Sequence, residues 1–388
     1  MSPDRVFLSK IGGNIAFIAG TAAALLFFVE AVCRFFALGP PDPRPWRENP
    51  DLYRICGRSY CTRADVLFPI KSRTGAIRWL KTNNLGLRED ESCTKSEKGV
   101  FRVLLLGDEI IAGEIANKRT LAASLEQNLT RVTGHKLRVL NAGVRGYGPY
   151  EIAIRADLVE KLDVNAVLVT INAGNDLLEG FLGKSRFKPI NKFRTIRLLS
   201  AWTYEQLSYL GLEIKDFTVR NQVVEWLWPR PAGEGLSQAI WLQRGPGKLN
   251  RALNILQGRL KKIEQVCRTH GIKMYILLAP CWLSMPKVAQ SLFPRISHNL
   301  VRLSPSAASS LQKRIEKRII EKLSSLEQNV FEPKTEMNVK GGWFTRSDYL
   351  LSMNGKQALG GQVTGWLLSD YWFAKRIDAS KRASMADF

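Results

Sequence analysis

From Phe101 to Gly113 the chain reads FRVLLLGDEIIAG, and the rest of the sequence is organised around this stretch. The apolar run that ends at Leu106 is too short for a long helix. Gly107-Asp108 stops it, as turn chemistry does after a buried parallel strand. In open α/β sheets ligands sit beyond the carboxyl ends of the strands. Asp108 and Glu109 therefore stand where chemistry is usually done.

Downstream the pattern repeats. A helix is predicted around Leu121–Val132, then a strand over Leu137–Leu140 that ends in the turn NAGVRGYG. A helix from about Pro149 to Leu162 follows, opened by a proline in its first turn. Ala166–Ile171 is the next apolar strand, and it stops at NAGND. Leu249, Leu253, Leu256, Leu260, Ile263 and Cys267 recur in steps of four and three, one face of a helix. His270-Gly271 ends that helix, and Lys273–Ala279 is a further strand. Ser304-Pro305 opens another helix, with Leu311, Ile315, Ile319 and Leu323 facing inward. Gln357 to Phe373 is the closing helix, and the basic tail 376–388 is expected to be mobile. Strands alternating with amphipathic helices predict a three-layer, doubly wound parallel α/β sheet over 101–375.

Residues 177–245 break this rhythm. They are basic and aromatic, with Trp202, Tyr204, Tyr209, Trp226, Trp228 and Trp241. We read an insertion with helices of its own, whose aromatics either form a core or offer a cover or docking face to the site.

With 388 residues the chain can hold one large domain. Its 57 Lys+Arg against 35 Asp+Glu give a formal charge of +22, which favours anionic partners such as lipid head groups or an acidic protein face. No zinc-finger, helix-turn-helix or RNP pattern accompanies the charge, so nucleic acid is not expected. Cys33, Cys56, Cys61, Cys93, Cys267 and Cys281 lack the paired spacing of a zinc site, and no metal or cofactor is expected. Cys56 and Cys61 are close enough for a small disulfide loop in an oxidising compartment, or remain as thiols.

At the N-terminus, Ile11 to Val29 runs 19 residues without a charge, about the length that crosses a hydrocarbon core. It exceeds a signal-peptide core, and no small-residue cleavage pattern follows. Residues 1–38 read as one uncleaved transmembrane anchor in a lipid bilayer. Its orientation is weakly set, because Arg34, Arg44 and Arg47 offset Arg5 and Lys10. Residues 39–100 are a proline-rich, irregular lead-in ending in TNNLGLREDE.

Taken together, Gly107-Asp108-Glu109, the turn Asn141 to Gly146, and Gly174-Asn175-Asp176 each follow a parallel strand and converge on one sheet edge. This arrangement resembles the SGNH (GDSL-like) hydrolases. The resemblance covers roughly residues 80–375. NNLGLRE, GYG and the preceding anchor are similar to membrane-anchored members, which often accompany extracytoplasmic polysaccharide export and acylation. It implies that Gly146 and Asn175 stand at the oxyanion-hole positions, with the backbone of Glu109 as a third donor and Asp108 as the buried turn aspartate. The globular domain would then lie on the periplasmic or extracytoplasmic side.

The nucleophile position, a serine in that family, is Glu109. The base would come from the block SDYLLSMNGKQALG. Matching MNG places Ser352 at the histidine position, and counting three from Asp348 places Leu351 there. His135, His270 and His298 lie outside any such block, and His135 and His270 read as helix-ending residues. A serine nucleophile and its base act as a unit that costs orders of magnitude when broken. A carboxylate at 109 also puts negative charge beside the place where an oxyanion must form. Three readings follow. One is a non-catalytic accessory subunit of a membrane protein complex. A second is a rewired O-acyl esterase or acyltransferase on envelope polysaccharide, using Glu109 as base or nucleophile. The third is a binding site for a sugar, or for a cation held by Asp108, Glu109 and Asp176.

Overall fold

The computed structural model describes residues 17–32, 49–56, 59–71, 77–93, 99–113, 115–182, 246–285, 288, 304–324, 329–335, 339–340, 342–344 and 351–385. These fall in two compact units, the first holding helix α1 (17–32) and the second everything described from residue 49 onward. Helix α1 presents Phe17, Ile18, Leu25, Leu26, Phe27 and Phe28 as exposed side chains. It covers the larger part of the uncharged run 11–29, and the rest of the predicted anchor 1–38 lies outside the described residues. Among the described residues no helix is long and apolar enough to cross a membrane.

In the second unit a five-stranded, wholly parallel sheet runs in the order β6-β5-β7-β8-β9. Its strands are β5 (Phe101–Leu106), β6 (Leu137–Asn141), β7 (Ala166–Asn172), β8 (Lys273–Ala279) and β9 (Asn329–Phe331). Every residue of β5 and β7 is buried, so the sheet is covered on both faces, as parallel sheets require. Each Val or Leu so buried contributes roughly 1.5–3 kcal/mol. Strand β9, only three residues long, carries no apolar pattern that sequence reading could detect.

The helices form two groups. Helix α3 (Leu121–Thr133) packs on α9 (Met353–Ser369), which continues into α10 (Tyr371–Met385). Helix α7 (Pro246–Thr269) packs on α4 (Pro149–Ile154), α6 (Asp176–Leu182) and α8 (Pro305–Ser324). The inward stripe of α8, Leu311, Ile315, Ile319 and Leu323, is buried as predicted. So are Leu253, Leu256, Leu260, Ile263 and Cys267 on α7. The helix predicted over 149–162 is divided into α4, a 3₁₀ turn at Arg155–Asp157, and α5 (Leu158–Leu162).

Two expectations are corrected. The closing helix breaks at Asp370, and the tail expected to be mobile is helical to Met385. Asp370 accepts hydrogen bonds from Lys273 Nζ (2.7 Å), Tyr275 Oη (2.9 Å) and Asn329 Nδ2 (2.7 Å), so it ties the junction to β8 and β9. Phe373 and Ile377, one helical turn apart, are buried, and the Phe373 ring meets Phe101 edge-on at 5.2 Å. The lead-in 39–100 is not irregular throughout. It holds two antiparallel hairpins, β1 (Tyr53–Cys56) with β2 (Ser59–Thr62), and β3 (Leu67–Lys71) with β4 (Ile77–Lys81). Pro69 within β3 argues against a strand in the sequence, and the four residues of β2 are all buried and show no alternation. Cys56 and Cys61 are free thiols, and burial, then the Cys56 side chain, pushes Cys61 up to about 11. Of the insertion 177–245, only 177–182 is described.

Candidate active site

The carboxyl ends of β5, β6 and β7 bring the three turns together. Strand β5 ends at Leu106, and Asp108 then caps the four-residue helix α2 (Glu109–Ala112), its Oδ1 accepting from Ile110 N at 2.9 Å. Strands β6 and β7 both end in Asn-Ala-Gly, at 141–143 and 172–174. In each turn the asparagine Oδ1 accepts from the glycine two residues on, at 3.0 Å. The free amide of each then reaches the first turn: Asn141 Nδ2 donates to Ile111 O (3.1 Å), and Asn172 Nδ2 donates to Asp108 Oδ2 (2.8 Å). The backbone N–H of Asn172 also donates to Asp176 Oδ2 at 2.7 Å. Sequence reasoning missed both asparagines as positioning residues, and the repeated Asn-Ala-Gly is the signal that could have found them.

Glu109 is buried, and its carboxyl group lies in the cradle assigned to an oxyanion. Its Oε2 accepts from Gly146 N at 2.9 Å, and its Oε1 faces Asn175 Nδ2 at 3.4 Å. Gly146 has φ +72, a left-handed conformation open to glycine at no steric cost, and a Cβ there would lie 3.1 Å from Tyr60 Oη. Hairpin β1–β2 holds this turn. Tyr60 Oη donates to Arg145 O at 2.7 Å, and Tyr147 Oη donates to Tyr60 O. On the opposite side Gly143 packs so closely that a Cβ would fall 2.5 Å from Ala112 N.

The block NNLGLRE has a physical role in this assembly. Arg88 is buried, and its guanidinium donates to Ala112 O, Gly113 O (2.7 Å), Ile115 O (2.6 Å) and Asn117 Oδ1 (3.1 Å). It thereby fixes the end of α2, one turn beyond Glu109. Arg88 N also donates to Asn141 O, and Glu89 Oε1 accepts from Asn141 N at 3.0 Å. One short segment thus clamps both the first and the second turn.

The acidic groups here are held close together out of water. Burial drives the carboxyls of Asp108 and Asp176 well above the usual range. Next in size, the charge of Glu109 raises Asp108, and that of Asp108 raises Asp176. Glu89 is pushed up to about 7, first by burial and then by Glu126 and Asp90, against the Asn141 hydrogen bond and Arg138. Its folded value lies above its ordinary 4.5, so its contribution to stability is present at low pH and is lost as pH rises from about 4.5 through about 7. Glu89→Gln should therefore flatten the loss of stability between these pH values by roughly 1–3 kcal/mol. Urea midpoints of both proteins across that window test this, and parallel curves would clear Glu89 of the effect.

Several predicted residues are not brought together. Ser352 is the N-cap of α9, its Oγ accepting from Gly355 N at 2.9 Å and donating to Gly342 O. A serine before a helix satisfies an orphan amide, and that is what this hydroxyl does. Leu351 is buried, and Asp348 and His298 lie outside the described residues. His135 follows α3 and faces Ser380 Oγ at 3.3 Å. The His270 ring is bonded to Val266 O at the end of α7. Neither of these two histidines reaches the Glu109 cradle. Among the described residues no group of three His, Cys, Asp or Glu is arranged to hold a metal ion.

A cavity of about 320 Å³ opens beside Glu109. Its walls include Leu52, Phe68, Ile70 and Leu80 from the hairpin region and Val144 from the second turn. A larger cavity of about 630 Å³, between the end of β8 and α8, contains none of the predicted site residues.

No family model matches this sequence. Nor does any curated protein. Solved structures do match in shape at low similarity. The lipase/acylhydrolase from Enterococcus faecalis is 12% identical, covering 69% of this chain and 96% of its own, with a TM-score of 0.35. The psychrotrophic esterase EstA from Pseudoalteromonas sp. is 12% identical, covering 69% and 98%, with a TM-score of 0.34. AlinE4, an SGNH-hydrolase family esterase, is 15% identical, covering 61% and 77%, with a TM-score of 0.29. Values of this size say nothing about chemistry, which has to be read from the site.

Proposed function

We propose that this chain is a non-catalytic protein of SGNH-hydrolase type, anchored in a membrane through residues 11–29 and serving as an accessory subunit of a membrane protein complex. The observation that carries the loss of catalysis is the Glu109 carboxyl group lying on Gly146 N–H and Asn175 Nδ2. A reacting ester needs those donors for the oxygen that becomes negative in the transition state. Here they face an internal acid, which both occupies the place and repels the developing charge. The rewired-enzyme reading asks Glu109 to attack or to take a proton, yet both of its oxygens face cradle donors. A cation held by Asp108, Glu109 and Asp176 fares no better, because Asp108 and Asp176 direct oxygens at Asn172 and α2. The membrane and partner readings draw on the uncharged run 11–29 and the charge of +22.

Two measurements test this. The full chain, purified in mild detergent, is expected to hydrolyse an activated acetyl ester no faster than buffer. It is also expected to co-purify from its native membranes with integral proteins in fixed stoichiometry. Turnover that Glu109→Gln abolishes would replace this reading with the esterase, and recovery as a lone monodisperse monomer would remove the subunit.

A further inference from the structure

The hairpin β3–β4 has two unlike faces. Phe68, Ile70 and Leu80 line the cavity beside Glu109. Alternate residues of a strand point the other way, and there Leu67, Ile77 and Trp79 are exposed, with Pro69, which also reaches the cavity, directly opposite Trp79 in the register. Leu67 is 60%, Ile77 62% and Trp79 53% exposed. Three large apolar side chains left in water on one face of one hairpin are not explained by packing, since a folded chain rarely spends them this way. The site reading does not use them.

The two strands of the hairpin carry Lys71, Arg78 and Lys81 and no acidic residue. Trp with aliphatic neighbours among Lys and Arg is the composition of a surface that sits in the head-group region of an anionic bilayer. An acidic protein face would match the charge, but it would not call for exposed Trp, Leu and Ile on this face.

We infer that the exposed face of β3–β4 is a membrane-contact surface that inserts Leu67, Ile77 and Trp79 among anionic lipid head groups. This rests on the membrane reading above, and the experiment separates the two. The full chain is reconstituted into phosphatidylcholine vesicles with and without phosphatidylglycerol, using lipids brominated near the head group as quenchers. The Trp79 signal is the difference in emission between wild type and Trp79→Phe. The expected result is loss of most of that difference signal to the brominated lipid when phosphatidylglycerol is present. Recovery of the signal is expected in a second pair, Leu67→Asp/Ile77→Asp with and without Trp79→Phe. An unquenched Trp79 in chains that resist alkaline extraction would overturn the surface while leaving the anchor intact. Quenched Trp79 in chains that alkali strips from the vesicle would support the surface and remove the anchor. Cross-links from Lys81 to a co-purified protein, with no quenching, would replace the lipid by that partner.

Discussion

Arg88→Ala is expected to destabilise the unit that carries the sheet by about 3–5 kcal/mol, because it leaves several buried acceptors unpaired at once. Three of these are the carbonyls of Ala112, Gly113 and Ile115, and the fourth is Asn117 Oδ1. The carbonyls lie at and just past the end of α2, so the loss also frees the turn that carries Glu109. A planar fork can serve acceptors in several directions, whereas an ammonium is a compact point donor. Arg88→Lys should therefore recover less than half of the loss. Urea midpoints of the three proteins test this, and a lysine variant as stable as the wild type would show that charge alone matters there.

Glu109→Ala should empty the cradle. Two donors, Gly146 N–H and Asn175 Nδ2, then lose a partner, at a cost of about 1–3 kcal/mol. Part of this is offset, since Glu109 no longer raises the carboxyls of Asp108 and Asp176 by its charge. The vacated place has the donors for a small carboxylate. Added acetate is expected to stabilise the alanine variant in a saturable way, by about 1.4 kcal/mol at ten times its dissociation constant. At equal ionic strength chloride should do less, and the wild type should not respond to acetate beyond the salt control. An alanine variant that ignores acetate would mean the cradle has closed or its donors have found other partners. The same comparison bears on function, because an internal acid that excludes acetate also excludes an ester's carbonyl oxygen.

The two effects differ in how far they could be read in advance. Glu109 was legible as a carboxylate just beyond the strand 101–106, where the resemblance implies a serine. Arg88 lay inside a block noticed only for its resemblance, and nothing in the string NNLGLRE says that a guanidinium will close on carbonyls more than twenty residues downstream. The capping role of Ser352 was hidden for a related reason: only the amide of Gly355 within hydrogen-bond reach shows what its hydroxyl does.

What the sequence by itself determined was the succession of buried strands and amphipathic helices, and hence the parallel sheet and the edge on which its turns meet. Those features are local, written in apolar runs, in helical spacing and in glycine or proline at the ends. The three-residue strand β9, the short hairpins before β5 and the break at Asp370 fell below that signal, because few residues carried each of them. The state of the site was decided only by the tertiary structure. Glu109 meets Gly146 across 37 residues of chain and Asn175 across 66, and Asn172 joins Asp108 across 64. Contacts over such distances form only once the sheet has brought its strand ends together. A carboxylate at position 109 could have faced solvent, a metal or a base. The backbone N–H of Gly146, presented by a left-handed turn and held by Tyr60, gave it an internal partner instead.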